Sequence, residues 1–180
     1  MVVSLTGFML CGKSSYGRAA AGLRGLDFID LDDIVSFGRT PAEIIAEEGE
    51  EAFRAAESKA LEAVLSYGDG VADDRPGRGT LLALGGGTIL SEKNRTLLKQ
   101  KSRVIWIKAS LEESVFAPEW AEEVAKRPLL QNRTKAEIEA LWQKRIPLYE
   151  SVADYTVETA GKAPAQVLED ILAVLDVLDA

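Results

Sequence analysis

The 180-residue chain contains no histidine and a single cysteine, Cys11. The first absence removes Ser-His-Asp hydrolysis, Cys-His proteolysis and His-ligated zinc. The second forbids an internal disulfide or a Cys-rich metal cage and suits a reducing compartment. Basic residues are in deficit, 21 Lys and Arg against 29 Asp and Glu, and the formal charge of −8 disfavours nucleic acid or anionic membrane as a partner. No uninterrupted apolar stretch approaches the roughly 20 residues that span a bilayer. The run at 1–6 is short, has no basic flank and leads straight into glycine, so no targeting signal is expected. These absences predict a soluble, cytosolic protein. Its chemistry is left to carboxylates, Lys, Arg, hydroxyls, backbone amides or a borrowed cofactor.

Length predicts one domain over 1–180, large enough to bury a core without a staple. Apolar β-rich runs at 2–6, 26–30, 80–84, 103–108 and 154–158 alternate with amphipathic stretches, the pattern of an α/β fold with a parallel sheet buried on both faces. Helix starts are marked by caps: Thr40-Pro41-Ala42-Glu43, Ser110-Leu111-Glu112-Glu113 and Thr134-Lys135-Ala136-Glu137. Val167, Ile171, Val174, Leu175 and Leu178 fall on one face of a final helix. The Gly- and Asp-rich stretch 67–79 reads as a surface loop, not a domain boundary.

The strongest chemical signal is Gly7-Phe8-Met9-Leu10-Cys11-Gly12-Lys13-Ser14, a full G-x-x-x-x-G-K-[ST] match between a predicted strand and a predicted helix. Glycines at 7 and 12 allow backbone amides to converge on phosphate oxygens, and the helix N-terminus adds partial positive charge. Lys13 would reach the β- and γ-phosphates, and the Ser14 hydroxyl would ligate Mg²⁺. The bland alternative is a glycine turn, which the flanking pattern disfavours. A GTPase would carry an Asn-Lys-x-Asp motif, a motor-type ATPase would end a strand in Asp-Glu, and an adenylate kinase would usually have Pro in the loop. All three are missing, which leaves a small-molecule kinase.

Four further constellations each admit a structural reading beside a functional one. If the second strand runs through Asp30-Leu31-Asp32, alternation sets both carboxylates on one side at its carboxyl end, next to the phosphate loop. A solvated pair, or Asp33 capping a helix, is the alternative. Arg54 and Glu57 in 49–57 are spaced to pair on a helix, functionally or as a surface salt bridge. Gly85–Gly87 after a buried strand offers approachable amides, or is a flexible turn. Arg127-Pro128-Leu129-Leu130 and Arg145-Ile146-Pro147-Leu148-Tyr149 each set an arginine beside a helix-breaking proline, and either arginine alone is as readily structural.

In this order along nearly the full length, the motifs at 7–14, 28–32, 49–57, 85–87, 127–130 and 145–149 resemble the shikimate kinase family. The resemblance implies a three-layer P-loop fold with a five-stranded parallel sheet ordered 2-3-1-4-5, a substrate-binding region around 31–58 and a lid near 110–127. It implies transfer of the γ-phosphoryl group of ATP to the 3-hydroxyl of shikimate with one Mg²⁺, and a monomer is expected because one active site assembles within one chain. By that resemblance Leu10, Cys11, Gly12, Lys13, Ser14 and Ser15 hold ATP with Arg127 and Lys162, and Ser14 and Asp30 hold Mg²⁺, Asp30 through water. Asp32, Arg54, Gly86, Gly87 and Arg145 bind shikimate, Glu57 orients Arg54, and Lys13, Asp32 and Arg127 serve catalysis.

With an ordinary carboxyl pKa of about 3.9, Asp32 would be a weak base. Departures from the family pattern concern the lid and the base. Residues 109–126 hold no arginine, only Lys126 and the acids Glu112, Glu113, Glu119, Glu122 and Glu123. Lys162 stands where a planar guanidinium is common, which implies weaker nucleotide affinity or base selectivity. The 67–79 loop is longer than usual. A related kinase acting on gluconate shares the scaffold, but the 49–57 and 145–149 signatures favour shikimate. A non-catalytic nucleotide-binding module is disfavoured because Lys13, Asp32 and Arg127 are all retained.

Overall fold

A computed structural model describes residues 1–36, 38, 39, 41–67, 79–125, 127 and 130–179. In chain order the elements are β1 (Val2–Thr6), α1 (Lys13–Arg24), β2 (Asp27–Asp30), α2 (Leu31–Ser36), α3 (Pro41–Glu48), α4 (Glu50–Tyr67), β3 (Thr80–Ala83), α5 (Glu92–Lys101), β4 (Arg103–Lys108), α6 (Ala121–Ala125), α7 (Lys135–Val152), β5 (Tyr155–Glu158) and α8 (Pro164–Asp179). The strands form one parallel sheet in the order β2-β3-β1-β4-β5, the expected topology.

The apolar strands sort their side chains by the period-two rule. Val2, Leu82, Val104 and Trp106 face a core closed by Leu61 of α4, Leu98 of α5 and Tyr149 of α7. Their neighbours Val3, Leu5, Leu81, Ile105 and Ile107 face the opposite core, closed by Ala20 and Ala21 of α1 and Val167, Ile171 and Leu175 of α8. Both faces are therefore covered, which is why these runs are apolar throughout and not alternating. The Trp106 ring stacks on Tyr149 at 5.5 Å and 19°, pinning the long helix α7 to the interior strand β4.

Parallel pairing brings the carboxyl ends of the strands to one edge, where open α/β sheets bind ligands. Ala83, the last residue of β3, pairs with Leu5 on one side and Asp30 on the other. The glycines at 85–87 thus leave the sheet between the loop that follows β1 and the acids that follow β2.

Three local expectations are corrected. The second strand does not run through Asp32: it stops at Asp30 and α2 begins at Leu31. Ser110 does not start a helix. Residues 111–116 form turns, with Glu113 N–H donating to Ser110 Oγ at 3.2 Å, because Leu111, Val115 and Ala117 are buried ahead of Pro118. Pro147 does not break its helix; α7 continues to Val152, held on either side of the proline by buried Arg145 and Tyr149. The cap proposed at Thr40, the residues 68–78 of the long loop, and Lys126, Pro128 and Leu129 lie outside the described residues. No described helix is long and apolar enough to cross a membrane.

The cap at Thr134 is fully formed. Its Oγ1 accepts from Glu137 N–H at 3.3 Å, and Glu137 Oε2 accepts from Thr134 N–H at 2.7 Å. Because this box starts the helix that carries Arg145, Thr134→Ala is expected to cost about 1 kcal/mol. In a domain of this size that lowers Tm by roughly 2–4 °C. Thr134→Ser should retain the wild-type melting temperature in the same thermal scan.

Candidate active site

The loop between β1 and α1 wraps the start of the helix. Gly12 caps α1 at φ 89°, in the left-handed region, and a β-carbon there would sit 2.6 Å from the Tyr16 ring. Leu10 is held at φ 62°, a costly conformation for a branched side chain and one that folds tolerate mainly at functional sites. Lys13 Nζ donates to the carbonyls of Gly7 and Phe8 at 3.0 Å each, and lies 3.7 Å from Cys11 Sγ. Residues Leu10, Cys11, Gly12, Lys13, Ser14 and Ser15 line a cavity of about 660 Å³. Amides of the first turn of α1 supply its partial positive charge.

Asp32 reaches the same cavity from α2. Its placement comes from the strand-to-helix switch and not from alternation along a strand: Asp30 Oδ1 accepts from Asp32 N–H at 3.1 Å, so Asp30 caps the helix that carries Asp32. Burial, followed by the neighbouring Asp30 and Glu57 carboxylates, pushes the Asp32 carboxyl up from 3.8 to about 6, while Lys13 and Arg127 pull it down. Asp32 is therefore a better proton acceptor near neutral pH than its residue type predicts.

Close packing requires glycine at 85 and 87, with residues 86 and 87 in a turn. A β-carbon on Gly85 would lie 2.6 Å from Asp32 Oδ1 and would collide with Glu57 Oε1, and one on Gly87 would collide with the Arg54 guanidinium. Their bare backbone lets these charged groups close on the end of β3. Glu57 is 1% exposed, accepting from Arg54 Nη1 at 3.0 Å and from Thr88 Oγ1 at 2.6 Å. Asn94 Nδ2 donates to the Thr88 carbonyl at 3.0 Å. Arg54 thus points from α4 with its guanidinium held on one side by buried Glu57 and on the other by exposed Glu50, whose Oε1 accepts from Nη2 at 3.4 Å. Thr88 and Asn94 escaped the sequence reading; the sole hint was a pair of polar residues falling where the helix and the turn bury their sides.

Arg145 is 3% exposed; Nη1 donates to the Gly86 carbonyl at 2.8 Å and Cζ lies 5.5 Å over the Phe8 ring. Its Nε, like that of Arg127, is buried with no hydrogen-bond partner among the described residues. Two guanidinium N–H groups held out of water beside a cavity are suited to anionic ligands.

Glu113, Glu119, Trp120, Glu123 and Arg127 line the same cavity, as do Thr159, Lys162 and Pro164. Glu113 Oε1 accepts from Gly161 N–H at 2.9 Å. Lys162 Nζ donates to Asp170 Oδ2 at 2.7 Å. Lys13, Asp32, Gly86, Arg127 and Lys162 therefore share one cavity wall, whereas Asp30, Arg54, Gly87 and Arg145 are not on it.

The raised Asp32 pKa has a stability consequence. Folding favours the neutral carboxyl, so ionising it at pH 7 costs about 3 kcal/mol, the 3.8-to-6 displacement at ~1.36 kcal/mol per pH unit. That cost is zero below pH 3.8, grows as pH rises to 6, and stays constant above. Asp32→Asn in Mg²⁺-free protein is expected to raise stability by up to that amount at pH 7.5 in urea titrations. The gain should vanish below about pH 4.

With this geometry established, comparison with known proteins is decisive. The family model for shikimate kinase matches residues 9–176. A shikimate kinase from Dictyoglomus turgidum is 36% identical over 172 residues, covering 94% of each chain. The solved shikimate kinase from Acinetobacter baumannii in complex with shikimate superposes with a TM-score of 0.81 at 32% identity, covering 97% of this chain and 92% of that one. A gluconokinase from Sinorhizobium meliloti 1021 is more remote, with a TM-score of 0.54 at 19% identity over 98% of this chain and 92% of its own, a likeness of fold alone. The chain belongs to the shikimate kinase family.

Proposed function

We propose that the protein transfers the γ-phosphoryl group of ATP to the 3-hydroxyl of shikimate. The observation that carries this reading is the meeting of Asp32 with Lys13 and Arg127 on one cavity wall, one acceptor of a proton between two cations. The amides of residues 8–15 and the Lys13 ammonium hold the phosphates, the loop residues Leu10, Cys11, Gly12, Ser14 and Ser15 shaping the cradle. Lys13 exchanges its two loop carbonyls for phosphate oxygens, which are better acceptors for an ammonium. Arg54 and Arg145 clamp the carboxylate of shikimate. Glu57 and Thr88 set the plane of Arg54, and the Gly86 carbonyl sets that of Arg145. The amides of Gly86 and Gly87 meet its hydroxyls.

In the transfer, the shikimate hydroxyl oxygen forms a bond to the γ-phosphorus and the bond to the β-phosphate oxygen breaks. The hydroxyl proton passes to Asp32, whose carboxyl is poised for it near neutral pH. Arg127 neutralises charge on the transferring group from the lid. Among the described residues no cluster of three or more acids, cysteines or histidines could hold a metal alone. The Ser14 hydroxyl on the cavity wall fits Mg²⁺, which takes one or two protein oxygens and otherwise binds substrate phosphates and water. Ser14 and the water-linked Asp30 would hold it, and when bound it offsets phosphate charge. The whole set lies within one chain of 1–180, with acceptor residues in about 31–58 and a lid over about 110–127, so the enzyme acts as a monomer, and its need for ATP suits the cytoplasm.

Coupled release of ADP, measured with Mg²⁺-ATP and a panel of shikimate, gluconate and nucleoside monophosphates, tests the assignment. Turnover is expected with shikimate; turnover on another acceptor and none on shikimate would overturn it. In the same assay Arg127→Ala is expected to lower kcat by about 10³-fold. Asp32→Asn should lower kcat by about 10²-fold or more, with a smaller change in the KM for shikimate.

A further inference from the structure

Trp120 is a large side chain that core packing does not account for. Its residue is 38% exposed, whereas Leu111, Val115 and Ala117 of the same lid are buried, and Phe116 and Val124 pack on the cluster beneath. It closes a 3₁₀ turn, Pro118–Trp120, its N–H donating to the Ala117 carbonyl at 3.0 Å, and Pro118 at the start fixes the turn. From there Trp120 lines the cavity that also takes in Lys13 and Pro164.

The sheet order says which part of a nucleotide lies near it. Asp32 follows β2 at one edge, the phosphate loop follows β1 in the centre, and residues 159–164 follow β5 at the other edge. A triphosphate on the central loop with its γ end toward Asp32 directs its nucleoside toward the β5 edge. The lid is tied to that edge by the bond from Gly161 N–H to Glu113. Before Arg127, the lid residues on the cavity are Glu113, Glu119, Trp120 and Glu123. The carboxylates repel phosphate, so this stretch suits the uncharged end of the ligand. On the 159–164 loop, Lys162 is paired with Asp170 at 2.7 Å, and an ammonium presents no plane for a base to stack on.

We infer that Trp120 is the stacking platform for the nucleobase of the phosphoryl donor, an affinity-determining residue carried by the acidic lid. The inference rests on the donor reading above. It makes the lid bipartite: Arg127 serves the phosphate and Trp120 the base.

Equilibrium binding of ADP and of inorganic tripolyphosphate to the full chain, without acceptor, tests it. Trp120→Ala is expected to weaken ADP about tenfold or more and to leave tripolyphosphate within about twofold of wild type. Trp120→Phe should keep most of the ADP affinity, and the fluorescence change on adding ADP should be largely lost in it. ADP affinity unchanged in Trp120→Ala, or an equal loss for tripolyphosphate, would overturn the inference, the second by showing a general lid defect. Wild type that binds tripolyphosphate as tightly as ADP would also overturn it. Wild type that binds neither would remove the donor reading itself.

Discussion

The Asp32 and Glu57 carboxyls approach the end of β3 more closely than any side chain at position 85 would permit. Everything else at the site is arranged round that close approach. Glu57 can be buried because Arg54 and Thr88 both donate to it. Asp32 is set beside it by the cap that Asp30 gives to α2, and it is buried among more acids than a carboxylate tolerates cheaply. The fold thus holds a proton acceptor in a state it would shed if stability alone were selected, a conflict common at active sites. Lys13 and Arg127 limit the cost, and in the proposed reaction they are the cations that phosphoryl transfer calls for.

The net charge of −8 repels both anionic substrates in principle. The cavity answers this locally: Lys13 from the phosphate loop and Arg127 from the lid lie on its wall, while Arg54 and Arg145 stand beside it with their planes fixed by Glu57 and the Gly86 carbonyl. At physiological salt charges beyond about 8 Å are screened, so this local cluster outweighs the distant acidic surface. Besides Asp32, the acids on the cavity are Glu113, Glu119 and Glu123, and Glu113 is tied to the β5 edge by the bond from Gly161 N–H.

Features whose information is local were legible in the sequence. The phosphate loop occupies eight consecutive residues, the Thr134 box four, and the apolar strands announced a sheet covered on both faces. The Arg54–Glu57 pair was legible as a spacing, but its burial was not, because the second donor to Glu57 is Thr88, 31 residues away in the chain. The Asp30–Asp32 step was misread because a strand and a helix start share the same few residues, and the capping bond decides between them. Ser110 bears a valid cap signal that tertiary burial of Leu111 and Val115 overrides. Pro147 is tolerated inside α7 because Arg145 and Tyr149 are fixed by contacts to Gly86, Phe8 and Trp106 on other elements. Trp120 has no motif at all; only its place on the cavity distinguishes it from any exposed aromatic.

The central claim is that the fold, before any ligand arrives, holds the Asp32 carboxyl poised to accept a proton near neutral pH. Carbon-detected NMR of the side-chain carboxyls in the ligand- and Mg²⁺-free protein, assigned through Asp32→Asn, measures this directly. A titration midpoint near pH 6 for Asp32 is expected. A midpoint at or below about 4, the range of an exposed aspartate, would contradict the account.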